Sequence, residues 1–242
     1  MGSIDEYDLP PQVVLVWHGL NDAENLHEFL AADIEWGECD VRRDPLGRLV
    51  LRHDSFAARP SSDGEVLLAL DAVLASLVEQ GRNVKLDLKD GPDVIDDTLA
   101  ALVTHRLADD RVWFNGSFEV LREEGFRTLR AARPAAVVQC SVDFLRPLVL
   151  AAPDQARAVL SVIGDWGVDR ISLRWQNDDL DTVLDRLRAW GHEVNLYGVP
   201  DLKSFLRAVM LLPNSVTADF NFPAWGYHGH GSGQQIDDSA AA

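Results

Sequence analysis

The sequence predicts an α/β chain folded as one (β/α)8 barrel of the TIM type, and three observations carry that expectation. First, eight strand-like runs alternate with helical ones, at 13–18, 36–41, 83–89, 111–117, 136–142, 170–175, 193–199 and 215–220. Alternation this regular gives parallel strands joined by crossover helices. Second, eight such units in about 220 residues fit the compact end of the size range of these barrels. Third, polar side chains stand at the C-terminal end of nearly every strand, where a closed barrel gathers them at one mouth. A doubly wound open sheet is the runner-up. No glycine-rich loop follows the first strand, so a dinucleotide-binding version has no support.

The expected domain organisation is a leader over 1–11, a single barrel over 12–223 and a disordered tail over 224–242, rich in Gly, Ser and Ala. VVLVWH (13–18) is a continuous apolar run, as expected of a strand covered on both faces. Asn21-Asp22 offers a cap to the helix AENLHEFLAA. WGECDV (36–41) is the second strand, DPLG (44–47) a turn, and LVLRHD (49–54) a β-ribbon. GEVLLALDAVLASLVEQG (64–81) has the spacing of an amphipathic helix closed by glycine. NVKLDLK (83–89) is a strand, and 92–108 a helix with Pro92 near its start. RVWFNGS (111–117) leads into a helix over 118–133, and AVVQCSV (136–142) into 144–166, one broken helix or two short ones. RISLRW (170–175), EVNLYGV (193–199) and SVTADF (215–220) are the last strands, separated by helices over 179–191 and 201–212.

Composition narrows the function classes. A net charge of −17 over 242 residues disfavours a nucleic-acid binder, which needs clustered cations against phosphate, and disfavours docking on anionic membranes. No run approaches the roughly 18 apolar residues of a membrane span, and the acidic start lacks the build of a secretory signal, so the expected location is cytoplasmic. The two cysteines, Cys39 and Cys140, lie in strands and read as small buried hydrophobes rather than a disulfide.

Strand C-termini place a chemical constellation at the mouth. The first strand brings His18, and the second Glu38 and Asp40, whose two-residue spacing sends both carboxylates to one face. The ribbon brings His53, and the third strand Asp87 and Lys89 at the same spacing. Asn115, Arg174, Tyr197 and Asp219 end later strands. Each alone has a structural alternative, such as an inward ion pair or a satisfied histidine; their joint placement favours chemistry. Three carboxylates in one mouth repel unless a cation holds them, and an all-oxygen set suits Mg²⁺ or Ca²⁺ rather than zinc. Lys89 and Arg174 then suit an anionic substrate. Trp113, Trp175, Tyr197 and Phe222 are candidates to line an apolar pocket.

The order His18, Glu38-Cys39-Asp40, Leu46-Gly47 with His53-Asp54, then Asp87-Leu88-Lys89 resembles the glycerophosphodiester phosphodiesterase-like superfamily, TIM-barrel enzymes related to phospholipases C and the sphingomyelinase D enzymes. The strings NVKLDLK and RVWFN are similar to its menorin branch. The resemblance implies that Glu38, Asp40 and Asp87 ligate one divalent cation, that His18 and His53 are the acid/base pair, and that Lys89 binds phosphate. It implies a small-molecule or lipid phosphodiester substrate. Asn115, Arg174 and Tyr197 are further candidate substrate contacts by their placement at strand ends. The sequence departs from the pattern twice. Gly19 stands where these enzymes carry Arg after the first His, with Arg174 and Arg52 as possible replacements, and Asp87 stands where Glu is commoner. The missing arginine motivates the alternative expectation, a non-catalytic menorin-like barrel that binds a phosphorylated ligand or a partner protein. A metal-dependent hydrolase of the amidohydrolase type would need a His-x-His pair on the first strand, where this chain has Val16-Trp17-His18.

Overall fold

The computed structural model describes residues 10, 12–62, 64–176 and 178–218. Its strands are β1 (Val14–Trp17), β2 (Trp36–Arg43), β3 (Leu49–Leu51), β4 (Asn83–Leu88), β5 (Val112–Asn115), β6 (Val137–Ser141), β7 (Arg170–Arg174), β8 (Glu193–Val199) and β9 (Ser215–Ala218). All but β3 pair in parallel in the order β1-β9-β8-β7-β6-β5-β4-β2, and β1 pairs with β2 to close the barrel. The expected eight-stranded α/β barrel is therefore the observed fold, and the open sheet is excluded. The ninth strand, β3, runs antiparallel beside β2.

The helices are α1 (Ala23–Ala31), α2 (Leu70–Glu79), α3 (Asp93–Thr104), α4 (Phe118–Ala132), α5 (Arg146–Ala151), α6 (Pro153–Asp165), α7 (Leu180–Ala189) and α8 (Leu202–Met210). The segment 144–166 resolves into two short helices, α5 and α6, the second opened by Pro153. One expected element is shorter than its pattern. Residues 64–69 are not helical: Leu68 accepts a bond from the Leu51 amide at 2.9 Å and Ala69 bridges Val50. The buried helical stripe of Leu70, Val73, Leu74 and Leu77 begins only at Leu70, so the preceding backbone satisfies itself on β3. Gly81, with φ +67°, ends this unit in the left-handed conformation that glycine adopts freely.

Two cores result. Outward-facing strand residues such as Leu15, Cys39, Leu86 and Phe114 pack on the helices in one continuous apolar shell. Both cysteines are free and buried. Burial pushes their thiols up, Cys140 to about 12, so neither is a reactive thiolate. Inside the barrel the floor is aromatic: Trp36 stacks on Trp113 with centroids 3.9 Å apart, beside Val16. Trp113 therefore seals the floor and does not line a pocket at the mouth. Trp175 also packs into the apolar shell, and Phe222 lies outside the described residues. No described helix is long and apolar enough to cross a membrane.

Candidate active site

The turn after β1 folds back onto β2. The Leu20 amide donates to the Glu38 carbonyl at 2.8 Å, and the Gly19 amide donates to Glu38 Oε2 at 3.1 Å. Gly19 does so with φ +77°, a conformation that costs a residue with a Cβ atom. The residue type at this departure from the phosphodiesterase pattern thus fits its backbone. His18 follows β1 directly, with Nε2 3.6 Å from Glu38 Oε2.

Asn21 has a role that its sequence did not announce. Asp22 caps α1 by accepting from the Asn25 amide at 2.9 Å. Asn21 instead grips Asp40: its Nδ2 donates to Asp40 Oδ2 at 2.6 Å, and its Oδ1 accepts from the Asp40 amide at 2.9 Å. Both residues are fully buried. An Asn-Asp pair reads as turn chemistry in sequence, so only the fold separates the two jobs.

β2 and β4 run in register, Glu38 beside Lys85 and Asp40 beside Asp87. One oxygen each from Glu38, Asp40 and Asp87 lies within 4.8 Å of the others. Lys89 reaches over them, its Nζ 2.9 Å from Asp40 Oδ1 and 2.6 Å from Asp87 Oδ2. The two innermost carboxylates are driven apart electrostatically. Burial, reinforced by Asp40 and Asp87 against the pull of His18 and Lys85, raises Glu38 from 4.5 to about 7. Burial also opposes ionisation of Asp40, but Lys89, His53 and His18 outweigh it and lower this carboxyl to about 2. Burial lowers Lys89, but Asp40, Asp87 and Glu38 outweigh it and hold its ammonium well above the usual range. Burial and mutual interaction thus hold the neighbouring groups of one cluster at widely separated proton affinities.

His53 belongs to the loop after β3. Its Nδ1 is 3.0 Å from Asp54 Oδ1, and Arg42 donates to its backbone carbonyl at 3.0 and 2.7 Å. Arg42 also reaches the Lys89 carbonyl at 3.2 Å and Asp90 at 2.5 Å, so it ties the histidine loop to the end of β4. Arg52 is excluded as a replacement phosphate ligand. It is fully buried, bonded to Glu65 at 2.9 and 3.3 Å and to the carbonyls of Asp54 and Arg59.

Across the mouth, Arg174 is exposed and pairs in register with Tyr197. Asp143, in a 3₁₀ turn after β6, joins them: it accepts from the Arg174 amide at 2.6 Å and from the Tyr197 hydroxyl. Burial, with Asp143 as neighbour, raises Tyr197 well above the ordinary phenol range, so its hydroxyl stays protonated. Asp143 was missed because it lies beyond its strand. Asn115 is buried at the end of β5 with its Oδ1 unpaired among the described residues. Asp219, at the end of the last predicted strand, lies outside them.

The donor set fits a hard divalent ion. Three carboxylate oxygens within 4.8 Å of one another match the spread of oxygens around Mg²⁺ or Ca²⁺ at about 2.0–2.6 Å. Among the described residues no nitrogen or sulfur ligand joins the set to favour zinc.

No protein-family model and no curated protein sequence matches this chain. Solved structures do. A phosphodiesterase from Oleispira antarctica, solved with the product sn-glycerol-3-phosphate, shares 17% identity over 90% of this chain and 95% of its own, with a TM-score of 0.66. A glycerophosphodiester phosphodiesterase from Agrobacterium tumefaciens shares 18% over 86% and 96%, with a TM-score of 0.57. A glycerophosphoryl diester phosphodiesterase from Parabacteroides distasonis shares 12% over 89% and 85%, with a TM-score of 0.59. At these identities the likeness establishes a common barrel spanning most of every chain.

Proposed function

We propose that this chain is a divalent-metal-dependent phosphodiesterase of the glycerophosphodiester phosphodiesterase-like type, acting on a small-molecule or lipid phosphodiester. The observation that carries the reading is the convergence of Glu38, Asp40 and Asp87 at the C-terminal mouth of a barrel shared with solved phosphodiesterases. Its assignment to the menorin-like branch rests on the strings NVKLDLK and RVWFN.

In this reading the three carboxylates hold one Mg²⁺ or Ca²⁺, which when bound supplies Lewis-acid neutralisation of the phosphoryl oxygens. Lys89, already poised over Asp40 and Asp87, binds a phosphoryl oxygen, and Arg174 takes the place of the absent arginine from the far wall. Tyr197, held by Asp143, and Asn115 orient the substrate. His53 is the base: with Nδ1–H directed at Asp54, its Nε2 carries the lone pair that removes a proton from the attacking hydroxyl. His18, beside the Glu38 carboxylate, protonates the leaving oxygen.

The test is hydrolysis of bis(p-nitrophenyl) phosphate and a panel of glycerophosphodiesters and lysophospholipids, with EDTA, Mg²⁺ or Ca²⁺. Turnover that disappears on chelation is expected, and His18→Ala or His53→Ala should each lower it about 10²–10⁴-fold. Wild-type turnover in both variants would remove the histidine mechanism. Metal and phosphate binding without turnover on any substrate would point to a ligand-binding barrel instead.

A further inference from the structure

We propose that Lys85 is an internal counter-charge of the acidic cluster, a positioning residue that loosens its hold on a divalent cation and tightens its hold on the anionic substrate. The inference rests on the metal reading of the preceding subsection and adds a residue that the superfamily resemblance does not cover. Lys85 lies one layer below the mouth, beside Glu38 on the neighbouring strand, and is 2% exposed.

Barrel interiors of this type are usually filled by layers of branched aliphatic side chains. Here the layer around Lys85 holds Ser172, Asn195, Ser215 and Thr217, all buried. They form one directed network. Lys85 Nζ donates to Thr217 Oγ1 at 3.0 Å, and Thr217 Oγ1 donates to Asn195 Oδ1 at 3.2 Å. Ser215 donates to the same Asn195 oxygen at 2.7 Å, and Asn195 Nδ2 donates to Ser172 at 2.9 Å. An ammonium can only donate, so it sets the direction of the chain. None of these partners carries a charge. Burial lowers the Lys85 ammonium below its ordinary range, the Glu38 and Asp87 carboxylates above it act against that, and the cations Lys89 and Arg170 add to it.

Lys85 from below and Lys89 from above bracket three carboxylates. With all five groups charged, the set carries one net negative charge. A divalent cation turns that into one net positive charge, the complement of a phosphodiester monoanion. Without Lys85 the same set would hold the cation with two negative charges and meet the anion with none. Removing one charge from the set is expected to change each affinity about ten- to a hundredfold, with opposite signs for cation and anion.

The experiment is calorimetric titration of Mg²⁺ into the metal-free full chain, then of inorganic phosphate into the Mg²⁺-loaded protein, for wild type, Lys85→Met, Lys85→Gln and Lys85→Arg. Lys85→Met and Lys85→Gln should bind Mg²⁺ at least tenfold more tightly and phosphate at least tenfold more weakly. Lys85→Arg should keep both affinities within about threefold. A merely structural lysine would weaken both ligands together. That result, unchanged affinities, or failure of both neutral variants to fold would overturn the proposal. Wild-type protein that binds no divalent cation would instead remove the metal reading itself.

Discussion

At the floor of the barrel Trp36 lies against Trp113 at 3.9 Å between centroids, with Arg170 4.4 Å from the Trp113 ring. Two residues further along the same strands stand Glu38 and Asn115, and two beyond Glu38 stands Asp40. The backbone alternation is identical at both ends; only the side chains change, from aromatic seal through polar middle layer to charged mouth. In the proposed reading each strand separates stability from chemistry along its own length, as barrels with their sites at the C-terminal strand ends do. If the separation is real, substitutions at the floor should cost folding and spare ligand binding, and those at the mouth the reverse.

The largest effect is expected at the floor. Trp113→Ala removes half of the stack from a site 5% exposed and should cost about 3–5 kcal/mol of unfolding free energy, read by urea denaturation. Mg²⁺ affinity of the folded variant should stay within about threefold of wild type. A collapse of metal binding would mean that the two ends are coupled, and the comparison would fail. Next comes Asn21→Leu, which deletes both bonds from Asn21 to Asp40 and should weaken Mg²⁺ binding about 10–100-fold. Its neighbour is the control: Asp22→Ala removes the cap of α1 and a bond from the Asn25 side chain at 3.2 Å, and should cost about 1 kcal/mol of stability or somewhat more with no change in metal affinity. Equal effects of the two variants on Mg²⁺ would deny Asn21 its orienting role. Smaller again is Arg174→Met, expected to raise KM for a phosphodiester about tenfold while leaving kcat and Tm near wild type, because the side chain is exposed and its backbone amide still donates to Asp143. A fall in kcat with KM unchanged would place Arg174 in the chemistry instead.

The difference between Arg174 and Arg52 also shows what sequence could deliver. The fold was legible because alternation is a property of neighbours along the chain: period two in the strands, a helical period between them, and glycines such as Gly81 where helices stop. The carboxylates were legible for the same reason, since Glu38-x-Asp40 and Asp87-x-Lys89 fix a shared face by spacing alone. Lys85 sits on that same face two residues earlier, and extending the alternation one step back from Asp87 would have found it. What spacing cannot supply is the partner across space. Arg52 and Arg174 look alike as strand-end cations, yet the first is committed to Glu65 and two carbonyls while the second faces the mouth. Asp143 and Arg42 act through residues more than thirty and more than forty positions away, respectively. The helical pattern runs back over residues 64–69 because a stretch rich in Leu and Val fits a helix and an extended segment equally well; β3 decides between them.

The subtlest contrast lies within the mouth, between Glu38 and Asp40, and pH separates them. Glu38 is raised from 4.5 to about 7, so the metal-free folded state binds its proton more tightly than the unfolded chain does. The stability from this group is fully present below pH 4.5 and is lost as pH rises towards 7. Asp40, lowered from 3.8 to about 2, has the opposite sign: its contribution is present above pH 3.8 and is lost as pH falls through 2. In EDTA the melting temperature should therefore fall by about 5–10 °C between pH 5 and pH 8, given about 2–4 °C per kcal/mol for a chain of this size. Glu38→Gln, which keeps the shape and removes the ionisation, should flatten that slope. A divalent cation should reverse the trend, because it binds the carboxylate form and so stabilises most where Glu38 is deprotonated. A slope in EDTA that Glu38→Gln leaves unchanged would assign the pH response to other groups, and the opposed charge states of the two innermost carboxylates would no longer explain it.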